Sequence, residues 1–167
     1  MIKKNVEKLS KESFEEFGYF ADLISPRSNR FGESPIEFYP DMLQAFLPDN
    51  IASLSSVVVS PRPFVVDSTE FHGKTCEATL PLNGDILIHA APPVSGAFPA
   101  ERVRIFHVPA GTLIVLKPGV WHGAPFAAGE KEVSSLVLLP VRAYANDCFV
   151  YDIPEDEQIV FETGGAL

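Results

Sequence analysis

From Ser55 onward, the chain alternates short apolar runs with residues that break regular structure, a pattern typical of short β-strands. Asn83-Gly84 and Pro118-Gly119 are two of the predicted turns between them, because glycine and asparagine tolerate the backbone angles of tight turns. Short strands at regular spacing predict a sandwich or a barrel. The predicted strands are residues 55–59, 63–67, 75–82, 85–91, 102–108, 112–116, 121–127, 132–139, 148–153 and 158–162.

The segment before residue 51 carries a different pattern. Ser10 is a predicted helix N-cap, and Leu9 and Phe14 have the spacing of a hydrophobic staple. Gly18 is the predicted stop, which gives one short helix over residues 11–17. Residues 24–50 are rich in proline and predict a loop, with one short helical possibility at 41–46. The sequence therefore predicts a single domain over 1–167, with a helix and loop arm at 1–50 and a β-barrel at 51–167; whether residues 24–50 form a lid is left open.

Composition narrows the class of partner. The 167 residues carry a net charge of −9, which disfavours binding to nucleic acid or to an anionic membrane, since both reward clustered Lys and Arg. The N-terminus is charged throughout, and no segment approaches the ~20 apolar residues of a membrane span, so a cytoplasmic location is expected. In that compartment, Cys76 and Cys148 are expected to be reduced and packed as small apolar residues.

One strand carries unexpected chemistry. In TCEATLPL the apolar side chains share one face by alternation, while Glu77 and Thr79 take the other. Glu70 and His72, two residues apart, project from one face just before this strand, and His122 follows the Pro118-Gly119 turn. If the sheet closes on itself, Glu70, His72, Glu77 and His122 can converge. Two imidazoles and two carboxylates suit a divalent metal such as Ni, Zn, Mn or Fe.

These residues resemble the two motifs of cupins. The first motif appears as Glu70-x-His72, four residues, Glu77, six residues and Gly84, and the second as Gly119-x-x-His122. The usual first ligand in cupins is His, where this chain has Glu70. The resemblance implies an all-β, cupin-type jelly-roll barrel and, by fold analogy, a homodimer paired through sheet edges.

Within cupins, the chain is similar to the ureidoglycolate lyase (ureidoglycolate hydrolase) family. That family has a Glu-x-His first motif, a Val-Trp-His second motif and an Asn/Asp-Cys ending followed by Ile-Pro-Glu. The matching segments here are residues 70–72, 120–122, 146–148 and 153–155, together with the opening LSKESFEEFG.

Four positions depart from that family pattern. Phe71 stands where the family tends to have Arg, Glu77 where it has Gln, and Gly123 where it has a second His. Ser56 is about where a family Arg would fall. A missing cation matters because Arg is the usual partner of a carboxylate substrate. Arg62, Arg102, Arg104 or Lys117 could substitute for it.

The resemblance implies a metal-dependent enzyme that cleaves ureidoglycolate to glyoxylate and urea in allantoin degradation, a part of purine nitrogen metabolism. His72, His122, Glu70 and Glu77 would hold the metal, and Glu77 or Glu70 would transfer the proton. Trp121, Lys117 and Arg104 are the expected substrate-binding residues, with Trp121 as a wall of the pocket. Two alternatives stay open: a cupin isomerase, epimerase or lyase acting on a sugar acid or another small hydroxy acid, and a cupin that binds a small ligand without catalysis. His89 and His107 match no motif and are interpreted as core or edge residues.

Overall fold

The computed structural model describes residues 1–48 and 51–163. Its elements follow one another along the chain as β1 (Ile2–Lys8), α1 (Lys11–Phe14), β2 (Gly18–Asp22), β3 (Phe31–Glu33), β4 (Ile36–Phe38), β5 (Ala52–Val59), β6 (Val65–Val66), β7 (Ser68–Phe71), β8 (Glu77–Pro81), β9 (Ile86–Ala90), a 3₁₀ turn (Ala100–Arg102), β10 (Arg104–Val108), β11 (Thr112–Leu116), β12 (Phe126–Ala127), β13 (Val133–Pro140), α2 (Ala143–Asn146), β14 (Phe149–Asp152) and β15 (Ile159–Glu162).

Two curled sheets form the body of the fold. One has the order β12-β9-β10-β1-β15-β6, and the other has the order β2-β11-β8-β13-β5. Side chains from both sheets, among them Ile88, Phe106, Ile114 and Val133, meet in one buried apolar cluster between the sheets. The predicted fold class, an all-β jelly-roll barrel with a short N-terminal helix, is confirmed.

The N-terminal segment contains four strands, where the sequence predicts a helix and a loop over residues 1–50. Strands β3 and β4 pair with each other as a hairpin within the predicted loop, and β1 and β2 join the two large sheets. Strand β1 pairs in parallel with both β10 and β15, and β2 pairs with β11. The apolar alternation of β1 is hard to recognise because Lys4 lies on the same face as Ile2 and Val6. Ile2 and Val6 pack against a buried cluster, and the Lys4 Nζ donates to the Glu101 carbonyl at 2.7 Å. A long lysine stem can lie on apolar surface with its charge at the edge, so a charged strand is compatible with a sheet interior.

The predicted N-cap is observed, but the helix is shorter than predicted. The Ser10 hydroxyl accepts a hydrogen bond from the Ser13 N–H, and the helix ends at Phe14 rather than at residue 17. Gly18 is not a helix stop but the first residue of β2. A Cβ there would lie 2.0 Å from the Val115 carbonyl oxygen, so the close approach of β2 to β11 requires glycine.

The possible helix at 41–46 does not form. Instead this segment lies along the five-stranded sheet: the Phe46 carbonyl accepts from the Cys76 N–H, and Leu43 and Ala45 pack against Cys76, Ala78 and Val115. Its apolar side chains therefore cover the outer face of the sheet. Positions 49 and 50, the end of the loop that could form a lid, lie outside the described residues.

Candidate metal site

The four side chains singled out by the sequence converge. Glu70 lies on β7, His72 follows the end of that strand, and Glu77 begins β8. His122 lies between β11 and β12. One ligand atom from each residue lies within 4.8 Å of those of the other three. The convergence predicted from the motif spacing is thus observed.

Backbone hydrogen bonds fix the register of this site. The Glu70 N–H donates to the His122 carbonyl at 2.6 Å, and the His122 N–H donates back to the Glu70 carbonyl at 2.8 Å. The Gly119 N–H donates to the His72 carbonyl at 2.7 Å, and Gly119 has a φ of 80°, the left-handed region that glycine adopts without strain. The predicted Pro118-Gly119 turn therefore carries His122 back to β7.

Both imidazoles are oriented by carbonyl groups. The Nδ1–H of His72 donates to the Asp147 carbonyl at 2.5 Å, and the Nδ1–H of His122 donates to the Val120 carbonyl at 2.9 Å. Each Nε2 then faces the same Glu77 oxygen, Oε2, at 3.2 Å from His72 and 3.3 Å from His122. Two imidazoles held this way present their Nε2 atoms to one point, which is how metal-binding histidines are commonly supported.

The remaining carboxylate oxygens have partners of their own. Glu77 Oε1 accepts from the Thr79 hydroxyl at 3.2 Å, and Glu70 Oε2 accepts from the Cys148 thiol at 3.1 Å. Burial, together with the Glu70 carboxylate, raises the pKa of Cys148 to about 12. The thiol therefore stays protonated and acts as a hydrogen-bond donor. The sequence interpretation of Cys148 as simple apolar packing is corrected by this contact.

Charge in the cluster is balanced internally. Burial is the largest influence on His122 and disfavours its protonation, but the charge and hydrogen bond of Glu77, with smaller contributions from the Val120 carbonyl and Glu70, together raise the pKa of His122 to about 9. Burial likewise opposes protonation of His72, whose hydrogen bonds to Glu77 and to the Asp147 carbonyl nonetheless raise its pKa. Burial would raise the pKa of Glu77, but the charges and hydrogen bonds of His122 and His72 together lower it strongly. A protonated imidazole paired with an ionised Glu77 is the resting state without metal.

Asp147 supports His72 from a distant part of the chain. Its side-chain oxygens accept from the Gly73 N–H at 3.0 Å and from the Lys74 N–H at 2.8 Å, while its carbonyl accepts from His72. Asp147 is buried and directly follows α2. It therefore holds both the loop after His72 and the imidazole itself, which is a positioning role.

A buried polar chain lies behind His122. His89 donates from Nε2 to the Thr69 hydroxyl at 3.0 Å, and that hydroxyl donates to the His122 carbonyl at 2.9 Å. Burial, followed by the charges of His122 and Arg62, lowers the pKa of His89 to about 3, so this imidazole is neutral. A Cβ at Gly123 would lie 3.0 Å from His89 Cε1, so His89 occupies the space that a side chain at position 123 would need.

The cluster forms one wall of a cavity of about 270 Å³. Glu70, His72, Glu77, His122 and Cys148 lie along that wall. The inner wall is mostly apolar: Ile88, Ile114 and Leu116 are buried, and Val57, Val137 and Leu139 are half-buried. The lining also includes Ser55, Ser56 and Thr79, which carry hydroxyl groups. Tyr144, whose relative exposure is 74%, lines the cavity from α2 and marks its opening.

The three expected substrate-binding residues lie away from this cavity. Trp121 packs in a separate aromatic cluster, with its ring centroid 4.6 Å from that of Phe71. Lys117 donates to the Glu15 carbonyl, and Arg104 is paired with Glu7. None of the three lines the cavity. They are therefore left out of the proposed site.

The raised pKa values predict how metal binding depends on pH. Because the pKa of His122 is raised to about 9, a proton must leave the pair of imidazoles when a metal binds below that pH. We expect the apparent affinity for Co²⁺ to rise about tenfold per pH unit between pH ~6.5 and ~8.5, with proton release. Calorimetry in buffers of different ionisation enthalpy measures both quantities, and an affinity independent of pH over this range would contradict the prediction.

Comparisons with known proteins give a limited result. A scan against protein-family models finds no match, and a comparison with curated proteins finds none either. Among solved structures, the chain is similar to Bacillus subtilis oxalate decarboxylase, described with Mn(II) centres, at 16% identity over 60% of this chain and a TM-score of 0.43. A second structure of that enzyme, at pH 4.6, matches 53% of this chain at 17% identity and a TM-score of 0.41.

The chain spans only 23% and 21% of the length of those two solved chains. A likeness of this strength carries no argument about the family, the metal or the reaction. Among the residues that the model describes, no helix has both the length and the apolar character needed to cross a membrane.

Proposed function

We propose that this protein is a metal-dependent, cupin-type enzyme that acts on a small hydroxy acid. The observation that carries the proposal is the pair of imidazoles, each held at Nδ1 by a carbonyl, with both Nε2 atoms facing one Glu77 oxygen on a cavity wall. Two imidazole nitrogens and a carboxylate oxygen, with a second carboxylate beside them, fit a divalent ion such as Ni, Zn, Mn or Fe. When bound, such an ion polarises a substrate oxygen and lowers the pKa of a hydroxyl.

The two carboxylates would have different roles, metal binding for Glu77 and proton transfer for Glu70. Glu77 would act chiefly as a metal ligand, because its Oε2 already lies between the two imidazoles. Glu70 would act as the proton acceptor, because its carboxylate is bonded on one side only to the weak donor Cys148. This assignment leaves one carboxylate for binding and one for chemistry.

The motif resemblance supports ureidoglycolate as the first substrate to test, which makes the reaction a C–N lyase step. Glu70 would take the proton of the substrate hydroxyl as the C–O bond gains double-bond character. The C–N bond breaks with its electron pair on nitrogen, and Glu70 returns the proton to that nitrogen. The products are glyoxylate and urea, so no other reactant is needed.

The activity test follows from this proposal. Protein stripped of metal and reloaded separately with Ni²⁺, Zn²⁺, Mn²⁺ or Fe²⁺ should release glyoxylate from ureidoglycolate with at least one of them, and the stripped protein should not. Glyoxylate is measured by a coupled assay that is independent of the metal. Metal binding with no turnover of ureidoglycolate or of other 2-hydroxy acids would favour the ligand-binding alternative over an enzyme.

The expected homodimer stays a prediction. Strand β5 forms one edge of the five-stranded sheet, and its side chains Leu54 and Val58 are exposed. The strand carries no charged residue, and an uncharged edge is a ready surface for strand pairing. This edge supports the proposal of a dimer.

A further inference from the structure

We propose that the body of the substrate, the part beyond the hydroxyl and carboxylate that reach the metal, ends in an uncharged alkyl group rather than in the NH₂ of a ureido group or in a second acid. This inference rests on the proposed metal-dependent function on a small hydroxy acid, and it favours other substrates than ureidoglycolate: short-chain 2-hydroxy acids, or 2-hydroxy-2-acylamino acids in which an alkyl amide replaces urea as the leaving group. The second class keeps the same bond cleavage, with glyoxylate and an alkyl amide as products.

The cavity wall opposite the cluster is the first argument. Ile88, Ile114 and Leu116 form the buried end, and Val57 and Val137 extend it toward the opening. The Ser and Thr hydroxyl groups of the lining lie elsewhere: Ser55 and Ser56 are exposed, and Thr79 donates to Glu77. A ureido group buried against the apolar end would lose its hydrogen bonds to water without gaining partners there, which is costly. An alkyl group would instead gain from the removal of apolar area from water.

Missing positive charge is the second argument. Within the described part of the chain, no Lys or Arg lines the cavity. Arg62 donates to the carbonyls of Ala124 and Pro125 and lies 4.0 Å from the centre of the Phe126 ring. The other basic candidates are also engaged elsewhere: Arg102 with Glu16, Arg104 with Glu7 and Lys117 with the Glu15 carbonyl.

The third argument is the net charge of the metal-loaded cluster. Glu70 and Glu77 each bring one negative charge, so together they offset the two positive charges of a divalent ion. A monoanionic head group already makes the loaded site negative. A second carboxylate or a phosphate in the substrate body would add charge in a cavity of low dielectric constant with no cation to balance it.

Size limits the length of the alkyl group. A cavity of about 270 Å³ holds roughly nine groups of the size of a water molecule, at about 30 Å³ each. The head of a 2-hydroxy acid contains five non-hydrogen atoms. Roughly four further carbon or nitrogen atoms therefore fit.

The experiment is calorimetric titration of the Co²⁺-loaded protein with glycolate, 2-hydroxybutanoate, 2-hydroxypentanoate and the dianion hydroxymalonate. All four share one head group and differ only in the body. We expect each added CH₂ to tighten binding about two- to fourfold, and hydroxymalonate to bind no more tightly than glycolate. Ureidoglycolate and N-acetyl-2-hydroxyglycine, which differ by NH₂ against CH₃, form a second matched pair, in which the acetyl compound should bind more tightly.

Two substitutions on strand β13 test whether the cavity wall causes the rise of affinity with chain length. Val137→Thr keeps the shape of a cavity-lining side chain but adds a hydroxyl. It should therefore reduce the affinity advantage of 2-hydroxypentanoate over glycolate about three- to tenfold. Leu136→Thr, one residue away on the opposite face of β13, should leave that advantage unchanged. Affinities that do not rise with chain length, or tighter binding of hydroxymalonate or ureidoglycolate, would overturn the inference.

The visible spectrum of bound Co²⁺ separates this inference from the proposed function. If glycolate leaves the spectrum unchanged, the head group does not reach the metal and the proposed function fails in that respect. The calorimetric slope along the chain-length series still decides the inference about the substrate body.

Discussion

Replacing His72 or His122 with alanine should lower the affinity for a divalent metal by more than about 100-fold, because loss of a supporting group alone typically costs 10- to 100-fold. Each imidazole contributes an Nε2 that faces Glu77 Oε2, at 3.2 and 3.3 Å, so removal of either leaves one nitrogen ligand. Chelator-washed wild-type protein, incubated with one metal at a time and desalted, should keep about one equivalent. Both variants should keep almost none, and turnover should fall to the level of the stripped protein.

The control is His107→Gln. His107 lies on β10 and bonds to Asp85 at 2.8 Å, away from the cavity, so this variant should keep full metal content. His72→Gln and His122→Gln serve as second variants, because their amides can still bond to Glu77 if alanine destabilises the fold. Full metal retention by the four site variants, or a folded wild-type protein that binds none of the metals, would contradict the metal-site proposal.

Alternation along one strand was a reliable guide to the site. Glu77 and Thr79 share a face, as predicted, and their side chains are hydrogen-bonded. What alternation does not say is which face turns inward. The apolar face of the same strand, with Ala78, turns outward and is covered by Leu43 and Ala45. Segment 41–46, whose register on the sheet has no local signal, decides that the polar face lines the cavity.

Hydrophobic periodicity does not predict contacts between residues that lie far apart in sequence. Asp147 and Cys148 bond to the site across separations of 75 and 78 residues, to His72 and Glu70 respectively. The Asp147 carbonyl and the Cys148 thiol reach the site because β14 pairs with β7. Such pairing depends on the packing of the whole barrel, so hydrophobic periodicity cannot provide it.

Trp121 is a different case, since the signal was present in the sequence. It precedes His122 in an extended segment, where neighbouring side chains point to opposite faces. If His122 faces the cavity, Trp121 must face away from it, and it packs against Phe71 and Phe98 on the other side of the sheet. The expectation of a pocket wall came from closeness in sequence, which in a strand implies the opposite orientation.

Exchanging the two carboxylates for amides should separate binding from chemistry. Glu70→Gln should keep metal affinity within about tenfold and lower kcat by about 100- to 10,000-fold, the usual contribution of a positioned proton acceptor. Glu77→Gln should instead lower metal affinity by more than tenfold, because Glu77 Oε2 is the oxygen that lies beside both imidazoles. Metal affinity and single-turnover rates at saturating metal measure the two effects independently.

A pH titration of the metal-free proteins checks the electrostatic part of this argument. In wild-type protein the Glu77 carboxylate raises the pKa of His122 to about 9 against the effect of burial. Glu77→Gln removes that charge, so burial dominates and the pKa of His122 should fall below its usual 6.5. NMR of the imidazole protons follows this change. Glu132→Gln, at an exposed carboxylate that accepts from the Ser60 hydroxyl, should alter neither metal affinity nor rate.

The roles given to the two carboxylates require that Glu70→Gln lower kcat and that Glu77→Gln lower metal affinity. If Glu77→Gln lowers kcat at saturating metal while Glu70→Gln loses the metal, the roles of the two carboxylates are reversed and the cluster itself stands. If neither variant changes kcat at saturating metal, no carboxylate of the cluster transfers the proton. The site would then bind a small ligand through its metal without performing acid–base chemistry on it.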